Sequence, residues 1–277
     1  MVISMQNVNN AWPNGTTQLN NVSMQLPKGA RSIIVGANGA GKTCLLRTIG
    51  GVYPYEGEVN VLGQQAYRPT RLGTSGATEV VAGINVWRHG ECVIVGERWQ
   101  PRGDSKVSTM LDFVDGWVPE RRDEIVDRFG IDLDWKVNQL SDGRKRRVQL
   151  LLALARPAEI LLLDEVTTDL DVLARQTLLE YLEEESEQRG CTVLFSTHIF
   201  DGLEEWGTHI TYVRRNTVDI NGPMESVVEI QDLKKQGSTT PLYDFVGASV
   251  RKDAEEAKAS GRKSTRCAHA IPMVITN

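Results

Sequence analysis

The chain has 277 residues, carries 31 Lys and Arg against 36 Asp and Glu for a net charge of −5, and is 40% hydrophobic. That is apolar material for one large core or just under two ordinary ones, which excludes wholesale disorder. The acidic balance argues against a protein whose main task is coating duplex nucleic acid.

Four cysteines, Cys44, Cys92, Cys191 and Cys267, form no CxxC pair, so neither a disulfide framework nor a zinc site is expected, and a reducing compartment fits. No run approaches the ~18 apolar residues of a membrane span. Met1 to Pro27 contains no charged residue, unlike a secretory or mitochondrial leader, which needs basic residues. A cytoplasmic or nuclear location is the expectation.

Short apolar stretches at Val2 to Met5 and Leu19 to Leu26, split by Pro13-Asn14-Gly15, predict an antiparallel hairpin. Ser32 to Val35 is a β-branched run of the kind buried on both faces of a parallel sheet, followed by glycines and a helical stretch from Lys42 to Ile49. Further core strands are expected at Cys92 to Val95, Ile160 to Leu163 and Thr192 to Phe195, with a mostly helical insert over about 100–155. The ordered domain is expected over 1–235, and 236–277 reads as a weakly ordered tail because it is small, charged and poor in apolar residues.

Gly36-Ala37-Asn38-Gly39-Ala40-Gly41-Lys42-Thr43 matches the pattern G-x-x-x-x-G-K-[ST]. Glycines let the backbone curl so that its N–H groups point at phosphate oxygens, and the helix that follows offers its positive end. Lys42 then reaches the β- and γ-phosphates, and the Thr43 hydroxyl ligates Mg²⁺. Such a loop needs an acid at the tip of a neighbouring buried strand. Ile160 to Leu163 ends in Asp164, placed to hold Mg²⁺ through water, and Glu165, placed to take a proton from an attacking water.

Upstream of that strand stands Leu140-Ser141-Asp142-Gly143-Arg144, which resembles the ABC-ATPase signature LSGGQ. Thr168-Asp169-Leu170-Asp171 resembles the family's D-loop, Ser196-Thr197-His198 its switch-histidine motif, and Trp12 stands where the family places an aromatic ring against adenine. With Arg146 to Leu150, Leu163 to Thr167 and Thr197 to Leu203, the chain resembles the soluble single-domain ABC ATPases of eukaryotes over roughly 1–220. These include a fungal protein associated with the Ccr–Not complex and the plant subfamily I proteins.

The resemblance implies an α/β P-loop fold: a mixed core sheet, an antiparallel β subdomain and a helical signature subdomain. It implies ATP and Mg²⁺ as cofactors, with Trp12, Gly36 through Thr43, Cys44, Ser141 and Gly143 on the nucleotide. Glu165, His198 and Lys42 would be catalytic, and Thr43 and Asp164 would hold the metal. It also implies an ATP-dependent head-to-tail homodimer.

Three departures stand out. Arg144 replaces the signature glutamine and opens a basic run, Arg144 to Arg147, that opposes the helix dipole. Something negative should compensate, either Asp142 or the partner's γ-phosphate, and Asp142 near phosphate predicts slow hydrolysis. Glu97 stands in place of the Q-loop glutamine, where a carboxylate could still ligate Mg²⁺. Finally, Arg98 to Trp117 is where transporter ATPases meet their membrane subunit, yet no membrane segment is expected here. The leading expectation is a dimeric ATPase switch working with Ccr–Not subunits in transcription or mRNA turnover. The alternatives are the engine of a multi-chain transporter with a separate permease, and a non-hydrolysing dimerisation module.

Overall fold

The charge-free N-terminus forms the expected hairpin in a computed structural model of the chain, which describes residues 1–12, 14–66, 79–80, 86–89, 91–96, 99–100 and 103–259. β1 (Ile3–Ala11) and β2 (Thr17–Leu26) pair antiparallel, with Ile3 opposite Leu26 and Met5 opposite Met24. β3 (Arg31–Val35) is buried along its whole length and leads through the glycine loop into α1 (Lys42–Ile49). β4 (Glu56–Val61) and β5 (Gln64–Gln65) complete a four-stranded antiparallel sheet in the order β2-β1-β4-β5.

β6 (Glu79–Val80), β7 (Val86–His89) and β8 (Cys92–Val95) begin one edge of the second sheet. The helical insert follows as α2 (Val107–Leu111), α3 (Pro119–Phe129) and α4 (Asp142–Leu154). β9 (Ile160–Asp164), α5 (Val172–Arg189), β10 (Thr192–Ser196), α6 (Leu203–Trp206), β11 (His209–Arg214) and β12 (Thr217–Pro223) finish the sheet. Among the described residues its strands run β12-β11-β3-β10-β9-β8-β7-β6, parallel from β11 to β8 and antiparallel at both edges.

The central strands β3, β8, β9 and β10 are buried at nearly every position because both faces are covered. Ile33 and Val35 of β3 face a core shared with the helical insert and α5, whereas Ile34 faces a second core with α1 and the antiparallel sheet. Leu161 and Leu163 repeat that division against Ile160 and Leu162. The alternation is the two-residue period of a strand read by two different cores.

The weak order expected over 236–277 requires correction over 236–259. α7 (Val228–Lys235) is followed by a second helix, α8 (Pro241–Ala259). Leu242, Phe245 and Val246 share one face of α8 and are buried in the larger core, and the Leu242 N–H donates to Glu204 Oε1 at 2.9 Å. Three apolar residues at i, i+3 and i+4 suffice to dock a helix whose average composition is polar. Residues 260–277 lie outside the described residues.

Candidate functional site

The loop from Gly36 to Gly41 joins a fully buried strand to a helix with no side-chain cap and no acidic residue in its first turn. The first N–H groups of α1 are therefore directed at the loop, where an anion is favoured. Gly36 (φ 150°) and Gly41 (φ 111°) each hold backbone that side-chain-bearing residues rarely adopt. A Cβ on Gly36 would lie 2.2 Å from the Val213 carbonyl oxygen, so sterics as well as conformation require glycine. The buried Lys42 ammonium donates to the carbonyls of Gly36 at 2.9 Å and Ala37 at 3.3 Å. Burial lowers its pKa, against the pull of Glu165 and Asp164. Cys44, next in α1, is buried with its Sγ on Gln18 Oε1 at 3.1 Å, so it faces β2 and ties it to the loop.

Asp164 closes β9 and accepts a bond from the Thr43 hydroxyl at 2.7 Å. Parallel register brings Ser196 beside Asp164, and the Glu165 N–H donates to the Ser196 carbonyl at 2.9 Å. Glu165 is held at φ 54°, a left-handed conformation uncommon for a non-glycine residue. His198 Nε2 lies 3.1 Å from Glu165 Oε1. Thr197 and Thr167 share a hydrogen bond at 3.0 Å, which locks the histidine loop to the acid loop.

Burial raises the Glu165 carboxyl pKa, with Lys42 opposing and Asp164 adding to the rise. Burial lowers the His198 imidazole, reinforced by Lys42, so it is neutral at neutral pH. The pair combines a carboxylate of raised basicity with an uncharged imidazole.

α4 starts at Ser141, whose hydroxyl accepts the Arg144 N–H at 3.4 Å. Gly143 sits in the first turn against the acid loop, and a Cβ there would lie 2.9 Å from the Asp169 carbonyl oxygen. Close backbone approach between the Ser141-Asp142-Gly143 turn and the Asp169 loop thus requires glycine at 143.

Sequence comparison agrees with this geometry. The ABC transporter family profile matches residues 19–168, from the start of β2 to the acid loop. The chain belongs to the ABC ATPase family. It is 38% identical to ABC transporter I family member 20 of Arabidopsis thaliana over 265 residues, covering 95% of this chain and 77% of the relative. It is 35% identical to CCR4-associated factor 16 of Saccharomyces cerevisiae over 76% of this chain and 75% of that protein. A phosphonates import ATP-binding protein of Staphylococcus aureus is 28% identical over 89% of this chain and 99% of its own length.

Among solved structures, the ATP-binding subunit of an ABC transporter superposes with a TM-score of 0.69 at 17% identity, covering 91% of this chain and 100% of the other. A dimeric ATP-binding cassette in a post-hydrolysis state with ADP and Pi gives 0.62 at 22% identity, over 80% and 98%. Both show the ABC ATPase fold. No helix among the described residues is long and apolar enough to cross a membrane.

Within this ABC ATPase domain, the basic run of the signature helix is compensated inside the chain. Lys145 pairs with Asp142 at 3.2 Å, Arg146 with Asp169 at 3.2 Å and Arg147 with Asp171 at 2.5 Å. Arg144 lies over the Trp135 ring at 4.7 Å. Asp142 thus has the compensating role expected of it. Asp169 and Asp171 share that role, which sequence reasoning missed because they lie beyond the intervening strand β9. Asp171 additionally caps α5 by accepting the Ala174 N–H at 2.8 Å.

Trp12 follows β1 in the turn into β2, half-buried, with its ring edge-on to Tyr53 at 5.2 Å. It therefore belongs to the antiparallel sheet, whose strand β2 also carries Gln18 against Cys44. Glu97, expected to ligate metal, lies outside the described residues, as does the segment from 67 to 78.

Proposed function

We propose that the chain binds ATP with Mg²⁺ and hydrolyses it as an ATP-dependent homodimer. The observation that carries this reading is the Thr43–Asp164 pair at 2.7 Å directly behind the Lys42 loop, with Glu165 and His198 beside it. Hard oxygen donors suit Mg²⁺, and Asp164 Oδ1 is buried without a hydrogen-bond partner among the described residues. Thr43 and Asp164 would hold the ion, with Glu97 as the further carboxylate proposed for it. Bound there, Mg²⁺ supplies neutralisation of phosphate charge.

The chain's own residues do the rest. Glycine-loop N–H groups and Lys42 hold the phosphates, exchanging the lysine's loop carbonyls for phosphate oxygens. Trp12 offers a face for the base, and Ser141 and Gly143 would meet the nucleotide of a second copy. Glu165 accepts the proton of an attacking water, and neutral His198 contacts the γ-phosphate and reports its presence. Positioning and charge neutralisation are most of what phosphoryl transfer requires. Replacing Lys42 with Ala should raise the Kd for ATP·Mg²⁺ at least about tenfold by calorimetry, since charge-assisted bonds are worth ~1.5–3 kcal/mol. Affinity within twofold of wild type would end the nucleotide reading.

The cellular role proposed is a switch acting with Ccr–Not subunits in the cytoplasm or nucleus, supported by the likeness to CCR4-associated factor 16 over most of both chains. A second reading, the engine of a transporter with a separate permease, has its own support: Phe113 is 65% exposed on the helical insert, a large apolar side chain without cover. Affinity purification from the native cells separates the two. Deadenylase or transcription subunits support the first, and a polytopic membrane protein supports the second.

A further inference from the structure

The hairpin of β11 and β12 touches the phosphate loop at both ends. At the first glycine, the Val213 carbonyl oxygen fills the space where a Gly36 side chain would be. At the far end, the Asn216 N–H donates to the Ala40 carbonyl at 2.8 Å, and Asn216 Oδ1 lies 3.4 Å from where a Cβ on Gly41 would stand. Asn216 also reaches the antiparallel sheet. Its Nδ2 donates to the Thr17 carbonyl at 2.8 Å, and its own carbonyl accepts the Asn20 N–H at 2.7 Å. The residue sits at φ 68°, where asparagine is among the few tolerated side chains. One residue thus ties the phosphate loop to the sheet that carries Trp12.

The hairpin turn is in turn gripped by α8. Arg214 pairs with Asp253 and Glu256 of α8 and with Asp219 of β12, the last at 3.4 Å. Arg215, also left-handed at φ 47°, donates to the Asp253 carbonyl at 3.1 Å and pairs with Glu256 at 3.3 Å. Tyr212 bonds Asp253 and stacks edge-on against Phe245 at 6.1 Å. Several cations and carboxylates converging on one turn hold geometry better than a single exposed pair would.

We infer that Asn216 is a positioning residue for the phosphate loop, and that α8 holds it in place through Arg214 and Arg215. Thereby α8 sets nucleotide affinity. This rests on the ATP reading above for its ligand, but the mechanical link stands without it. Linkage makes the coupling reciprocal, so a ligand that orders the phosphate loop also tightens α8.

The test uses the full chain and Arg215→Ala, an exposed side chain whose partners are Asp253 and Glu256 of α8. Without nucleotide, hydrogen exchange of the amides over 36–43 should speed up about fivefold, while β9 and α5 exchange as in wild type. With ATP·Mg²⁺ as probe, Kd should rise about fivefold, and Arg215→Lys, which keeps charge and reach, should restore it. In wild type, ATP should slow exchange across α8. Asn216→Ala should reproduce the affinity loss, because it strains φ and abandons the Thr17 carbonyl. Unchanged exchange over 36–43 in Arg215→Ala overturns the inference, as does faster exchange everywhere, which marks a merely structural role. If wild type fails to bind ATP, the functional reading falls, and the nucleotide-free exchange still decides the link.

Discussion

Glu165→Gln should bind ATP as wild type does and turn over about a hundredfold more slowly, the usual contribution of a positioned general base. Glutamine keeps the shape and the left-handed backbone at φ 54° but cannot accept the proton. Both Glu165 carboxylate oxygens are buried, and the His198 imidazole at 3.1 Å from Oε1 is the group beside them. The raised pKa adds a signature of its own. A base works ionised, so wild-type turnover should fall as pH drops through a value above the ordinary glutamate range. That limb should be missing in Glu165→Gln, whose residual rate is limited elsewhere. Steady-state kinetics from pH 5 to 8 measures both effects. A variant turning over at the wild-type rate would remove Glu165 from the base role.

Arg121→Ala should be strongly destabilising although it lies outside the site. Arg121 of α3 is buried and donates to Glu185 of α5 at 2.9 Å, the Tyr181 hydroxyl at 2.8 Å and the Leu154 carbonyl at 3.2 Å. Glu185 is 2% exposed, so truncation leaves a buried carboxylate with only the half-exposed Arg189 beside it. Breaking one side of a buried pair costs ~3–5 kcal/mol. With Arg189 remaining, about 3 kcal/mol is expected, or roughly 6–12 °C in Tm for a domain of this size. The cluster joins α3, the end of α4 and α5, so the loss would also loosen the helical insert against α5. Replacing Arg121 by Met and Glu185 by Leu together should recover part of the loss, since no charge is then stranded. A Tm shift below about 2 °C for Arg121→Ala would mean the cluster carries little of the stability.

The elements that hold the chemistry were legible because each is local. Glycines followed by Lys42 and Thr43 need no distant partner to declare a phosphate loop, and α1 starts at Lys42 as expected. The apolar run ending in Asp164 and Glu165 reads as a central strand because burial on both faces leaves no polar alternation. The hairpin of β1 and β2 follows from its turn residues and alternating pattern. By contrast, α8 was hidden because its docking residues, Leu242, Phe245 and Val246, are few among charged neighbours, and average composition outweighs a three-residue face.

What the chain's order of residues determined, then, is which groups are present and how each strand, loop and cap is built. Hydrogen-bonding geometry over a few residues settles those questions, as the Ser141 and Asp171 caps show. Tertiary structure alone decided who answers whose charge and what braces what. Arg146 finds Asp169 across 23 positions, Arg121 finds Glu185 across 64, and Asn216 meets Ala40 from the opposite half of the chain. Such pairings depend on the packing of two cores around one twisted sheet. Coulomb energy and hydrogen bonding act through space, with no regard for distance along the chain.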